Sequence, residues 1–119
     1  MATLFKTTAT IAKDAQAGTV TIPTQGRSII AAALLIPTVT GVITLKFRHV
    51  DSDATIYTWS PTGMAAKGAG TYICYAAEEA TAPKPLEGVP TTGDGVECAI
   101  SSNAGEAAAR TFTVWVWTT

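Results

Sequence analysis

The last ten residues of the chain, RTFTVWVWTT, change side-chain character with a period of two. Successive side chains of an extended strand point to opposite faces. Phe112, Val114 and Val116 therefore share one side, and Thr113, Trp115 and Trp117 share the other. A helix would scatter both groups around its circumference. One apolar face belongs against a core. The second, with two indoles, needs an explanation of its own.

Similar stretches recur along the chain. TLFKTTATIA sets Phe5, Ala9 and Ile11 on one face, and TVTI (Thr19 to Ile22) follows Gly18. GVITLKFRHV alternates Ile43, Leu45 and Phe47 with Thr44, Lys46 and Arg48. ATIYTWS, TYICYAA and GVECAIS complete the set before the terminal strand. SIIAAALLI does not alternate, which predicts burial on both faces. Its three alanines also suit a buried helix. The run is short and lies between PTQG and Pro37, which favours a strand. No segment carries an apolar repeat of 3.6 residues. Seven to eight short strands with regularly spaced turn residues predict an all-β chain, a single β-sandwich of mostly antiparallel strands. Jelly-roll and immunoglobulin-like arrangements both fit. At 119 residues the chain is expected to be one domain over 1–119, with a candidate N-terminal arm at residues 1–8.

The turn after His49 decides a register. A three-residue loop over Asp51 to Asp53 pairs Phe47 with Tyr57 and Leu45 with Trp59 on one apolar face. An even loop would set Tyr57 and Trp59 against Arg48 and Lys46. Burying four large side chains gains several kcal/mol at about 25 cal/mol per Å². Two exposed cation–π contacts offer about 1–2 kcal/mol. The core register is expected.

Composition narrows the role. Charged residues make up 14% of the chain, against roughly 25% in ordinary soluble domains. Mean hydropathy is +0.26. Such a surface suits a protein that sits against another protein. A net charge of -1 with scattered basic residues gives no footprint for nucleic acid. The longest apolar run, Ile29 to Ile36, is far below the roughly 20 residues of a membrane-spanning helix. The opening MATLFKTTATIAKD has no secretory pattern, so a soluble chain made in the cytoplasm is expected.

Candidates for chemistry are sparse. His49 is the one histidine, placed in a strand near its end, and reads as structural. Asp51 and Asp53 lack the glycine and distal glutamate of a calcium loop. Glu78 and Glu79 are adjacent, so on a strand they would diverge. Cys74 and Cys98 lack metal-site spacing and read as buried thiols in neighbouring strands. SSNAGEAAAR reads as a loop holding a helical turn capped by Ser102 or Asn103. No catalytic residue, metal site or cofactor site is expected, and no enzymatic activity.

Trp115 and Trp117 leave three explanations open: a central strand covered on both faces, a contact with another subunit, or a sugar-stacking platform. Each sheet of a small sandwich has just one inner face. Sugar platforms need polar groups around the rings, and the neighbouring residues are threonines. Tryptophan is a frequent anchor of protein interfaces. The subunit contact is favoured, and a carbohydrate-binding module using Trp115, Trp117, or Trp59 with Tyr57 is the alternative.

The chain resembles small β-sandwich structural proteins of tailed-phage virions, such as capsid decoration (cement) proteins and tail accessory domains. The likeness lies in the opening MATLFKTTATIAKD, the Thr/Ala/Gly-rich low-charge composition and the ending FTVWVWTT. It implies a non-enzymatic role in a virion assembled in the host cytoplasm. The implied partners are further copies of the chain, as a trimer, and a major capsid or other virion protein. The N-terminal arm, with Leu4 and Phe5, and the loop Thr81 to Gly95, with Pro83, Pro85 and Leu86, would then make contacts beside Trp115, Trp117 and Thr113.

Overall fold

The computed structural model describes residues 3–50, 55–59, 69–75 and 95–119. Eight strands run in chain order: β1 (Thr3–Ile11), β2 (Ala17–Ile22), β3 (Ile29–Ile36), β4 (Ile43–His49), β5 (Thr55–Trp59), β6 (Gly70–Tyr75), β7 (Val96–Ser102) and β8 (Arg110–Thr118). Each falls on one of the stretches that alternation or apolar runs mark out. They form two four-stranded sheets, ordered β1-β8-β3-β6 and β2-β7-β4-β5. Every pairing is antiparallel. The order is nested: the first strand pairs with the last, the second with the seventh, the third with the sixth and the fourth with the fifth.

Alternation supplies the core. The inner face of the first sheet contributes Ala9, Ile11, Ala32, Leu34, Ile36, Phe112, Val114 and Val116, all buried. The second contributes Ile22, Ile43, Leu45, Phe47, Val96, Cys98 and Ile100, also buried. β-branched residues make up about half of each set, and their stiff side chains pack well on a pleated surface. Phe47 and Phe112 are the largest fully buried side chains. At about 1.5–3 kcal/mol for each fully buried large apolar side chain, this layer is the main stabilising term.

Two backbone pairs of the hairpin fall where the core register sets them. Phe47 pairs with Tyr57 and Leu45 with Trp59, and a bulge then shifts Arg48 opposite Thr55. Residues 51–54 lie outside the described residues. Gly18 sits where β2 passes the end of β1. A Cβ there would overlap the Thr10 carbonyl, so only glycine lets the two backbones approach this closely.

Three expectations need correction. Cys74 and Cys98 stand in β6 and β7, which are consecutive strands but belong to opposite sheets. Ser101 to Arg110 holds no helical turn: β7 runs through Ser102, bends follow, and β8 starts at Arg110. β3 is not evenly buried on both faces, because its outer residue Leu35 stays 37% exposed.

That β7–β8 loop is organised by a buried carboxylate instead. Glu106 is fully buried. Its Oε1 accepts hydrogen bonds from the Thr40 N–H at 2.8 Å and from Arg110 Nε at 3.0 Å. Its Oε2 accepts from the Gly41 N–H at 3.1 Å and the Ser102 hydroxyl at 2.7 Å. The Glu106 carbonyl accepts from the Asp14 N–H at 2.8 Å, and its own N–H donates to Ala15 at 3.2 Å. One residue thus joins the β1–β2 turn, the β3–β4 loop and the β7–β8 loop at one end of the sandwich. Burial alone would raise its pKa, but the Thr40 N–H, the Ser102 hydroxyl, Arg110 and the Gly41 N–H outweigh it and lower the pKa from 4.5 to about 2. Gly41 has no room for a side chain, since a Cβ would overlap the Ser102 hydroxyl and Asn103 Oδ1.

Candidate contact surface

The two outer faces differ in chemistry. On the second sheet, cross-strand rows read Thr19–Ala99–Lys46 and Thr21–Glu97–Arg48. Arg48 and Glu97 sit directly opposite each other and form an ion pair. The described residues of this face are mostly polar.

On the first sheet the outward rows read Leu4–Trp117–Ala31, Lys6–Trp115–Ala33 and Thr8–Thr113–Leu35. Thr71 of β6 extends the last row beside Leu35. Leu4 is 52% exposed, and Trp115, Trp117 and Thr113 are half-buried. Ala33 lies buried beneath its neighbours and Ala31 is half-buried. Leu4, Ala33, Thr71, Trp115 and Trp117 line an open depression of about 510 Å³. The Lys6 ammonium stands 5.9 Å from the centre of the Trp115 ring, within cation–π range. Among the described residues of this face Lys6 is the one charged group.

The structure therefore brings four of the sequence-derived contact residues together: Leu4, Thr113, Trp115 and Trp117 share one surface. Phe5 does not join them. As the neighbour of Leu4 in an extended strand it points inward and packs partly buried against the core. Thr3 to Thr8, expected in an N-terminal arm, lie in β1 and pair along β8. Pro83, Pro85 and Leu86 lie outside the described residues, as do residues 60–68 and 76–94. The side chains of Tyr57 and Trp59 are likewise outside the description. Sequence reasoning missed Ala31, Ala33 and Leu35 as members of this surface. The missing signal was strand order, because nothing in IIAAALLI says that it borders the tryptophan strand.

The remaining candidates are dispersed. His49 ends β4 opposite Val96 and is partly exposed. Cys98 is buried in the core. Among the described residues no three His, Cys, Asp or Glu side chains are grouped to hold a metal ion. No helix among them is long and apolar enough to cross a membrane.

No family model matches this sequence, and no curated protein does. Solved structures of similar fold are found. A chain of the cyanophage Pam1 capsid asymmetric unit superposes with a TM-score of 0.54 at 18% identity, covering 98% of this chain and 84% of that one. The Yersinia pseudotuberculosis-derived mitogen superposes with a TM-score of 0.48 at 11% identity, covering 98% and 86%. A chain of the Helicobacter pylori bacteriophage KHP30 capsid gives 0.45 at 13%, covering 100% and 94%. The chain is thus similar in fold to a chain of a phage capsid.

Proposed function

We propose that this chain is a non-enzymatic structural protein of a phage virion, a capsid decoration (cement) protein that stabilises the shell through contacts with its own copies and with the capsid. The observation that carries this reading is the outer face of the first sheet. Two partly buried indoles, a half-exposed leucine and an alanine floor occupy a surface that water covers poorly. The nested strand order supports it as well. It corresponds to two Greek keys wound as a jelly roll, an architecture used by capsid domains, and differs from the immunoglobulin order. The fold likeness to a chain of the Pam1 capsid points the same way. No observation favours the carbohydrate reading. Among the described lining residues only the Thr71 hydroxyl and the two indole N–H groups are polar, and sugars need several directed hydrogen-bonding groups.

The test is mass spectrometry of virions purified from the phage that encodes the chain. A constant copy number per particle is expected, together with earlier heat release of the genome from particles stripped of the protein. Particles that lack the chain at every stage of purification would sink the reading.

A further inference from the structure

We infer that the outer face of the first sheet seats a second copy of this chain, face to face, about a two-fold axis running parallel to the strands between β3 and β8. The inference rests on the reading above, of a structural protein that contacts its own copies, and names the geometry of that contact.

The relief of the face carries it. Along the β3–β8 border each row sets one large side chain beside one small one: Trp117 beside Ala31, Trp115 beside Ala33, Leu35 beside Thr113. The large member lies on β8 in two rows and on β3 in the third. A two-fold axis along this border exchanges the two columns and keeps every row at its own height. Trp117 then meets the partner copy's trough at the Ala31 position, Trp115 meets the Ala33 position, and Leu35 meets the Thr113 position. All three rows become large against small, the self-complementarity that a symmetric contact requires. The depression floored by Ala33 and flanked by both indoles is the space such a contact fills.

Charge selects the same axis. An axis perpendicular to the strands through the middle row of the face, Lys6–Trp115–Ala33, would lay β1 over its own copy and bring the two Lys6 ammonium groups together. The axis along the strands sends them to opposite margins, roughly 14 Å apart at about 4.8 Å per strand. That exceeds the screening length of about 10 Å at moderate salt.

Area sets the strength. Four strands about 4.8 Å apart and up to nine residues long present roughly 500 Å² of sheet. Two copies would bury about 1,000 Å², the lower edge of specific interfaces. The association is therefore reversible and shows in a dilution series.

The experiment is sedimentation velocity on the purified chain over an about hundredfold concentration range, with tryptophan emission followed in parallel. The wild-type chain passes from monomer to dimer, and its emission moves to the blue as the indoles leave water. Ala31→Arg fills the trough and raises the dissociation constant at least about tenfold. Lys46→Glu, on the polar outer face of the second sheet, leaves it unchanged. Trp117→Ala and Ala31→Trp each weaken the dimer alone, and the double variant restores it, because exchanging the columns preserves large against small. Circular dichroism confirms that each variant keeps its strands. A wild-type chain that stays monomeric throughout overturns the inference, whether its indoles then respond to added capsid shells or to oligosaccharides. So does self-association that ignores Ala31→Arg, or a double variant no better than the singles. None of these results bears on whether the chain is found in purified virions, so the two proposals fail separately.

Discussion

Glu106 shows how one ionised side chain can hold an end of a sandwich together. A buried carboxylate is tolerated when enough donors surround it. Here two backbone N–H groups, a hydroxyl and a guanidinium do so. Its pKa is depressed in the folded chain, so its contribution is complete above the ordinary value of 4.5 and is lost as pH falls toward about 2. A shift of this size corresponds to about 3 kcal/mol. Urea unfolding at pH 7 and near pH 3 checks it. Glu106→Gln is expected to lower stability by about 2–3 kcal/mol at pH 7, and to lose much less than wild type between the two conditions. This residue was not legible beforehand. Its partners Thr40 and Gly41 lie more than 60 residues upstream, and an alanine-rich neighbourhood reads locally as a helical turn.

At the scale of the element, β8 presents two faces of different chemistry. It lies between β1 and β3, and its inward residues Phe112, Val114 and Val116 are fully buried. Phe112→Ala is expected to cost about 3–5 kcal/mol, the usual range for emptying a packed aromatic site. Trp115→Ala removes a ring only partly buried on the outer face and is expected to cost less than Phe112→Ala in the monomer. Thermal unfolding of the two variants at low concentration separates the faces. Equal losses would mean that the outer face is part of the monomer's own packing. Strands were well marked in the sequence because alternation is a local property, and so was the hairpin pairing of Phe47 with Tyr57. The burial of Ala33 was legible only as an absence of alternation. One strand that borders it comes from about 80 residues away.

The whole molecule is built from distant partners. β1 pairs with β8 across nearly the full length of the chain, and β2 with β7 across most of it. Loop closure must precede most of the contacts that reward it. Refolding from urea is therefore expected in the millisecond-to-second range typical of high-contact-order β folds, and not in microseconds. Stopped-flow tryptophan fluorescence measures it, and microsecond refolding would show that local hairpins carry more of the stability than the nested order implies. Seven to eight strands followed from alternation and short apolar runs. Which strand borders which did not, because the pattern that buries a strand is the same in either sheet.

The pairing of Thr3 with Thr118 has a practical corollary. Thr3 and Thr118, next to the two tails, therefore lie side by side at the end of the sandwich away from Glu106. Dyes attached at the two tails would sit within efficient energy-transfer range in the native state and drift far apart on denaturation. Cargo fused to either tail would emerge from the same spot, so a display scaffold made from this chain could carry two passengers on a single side.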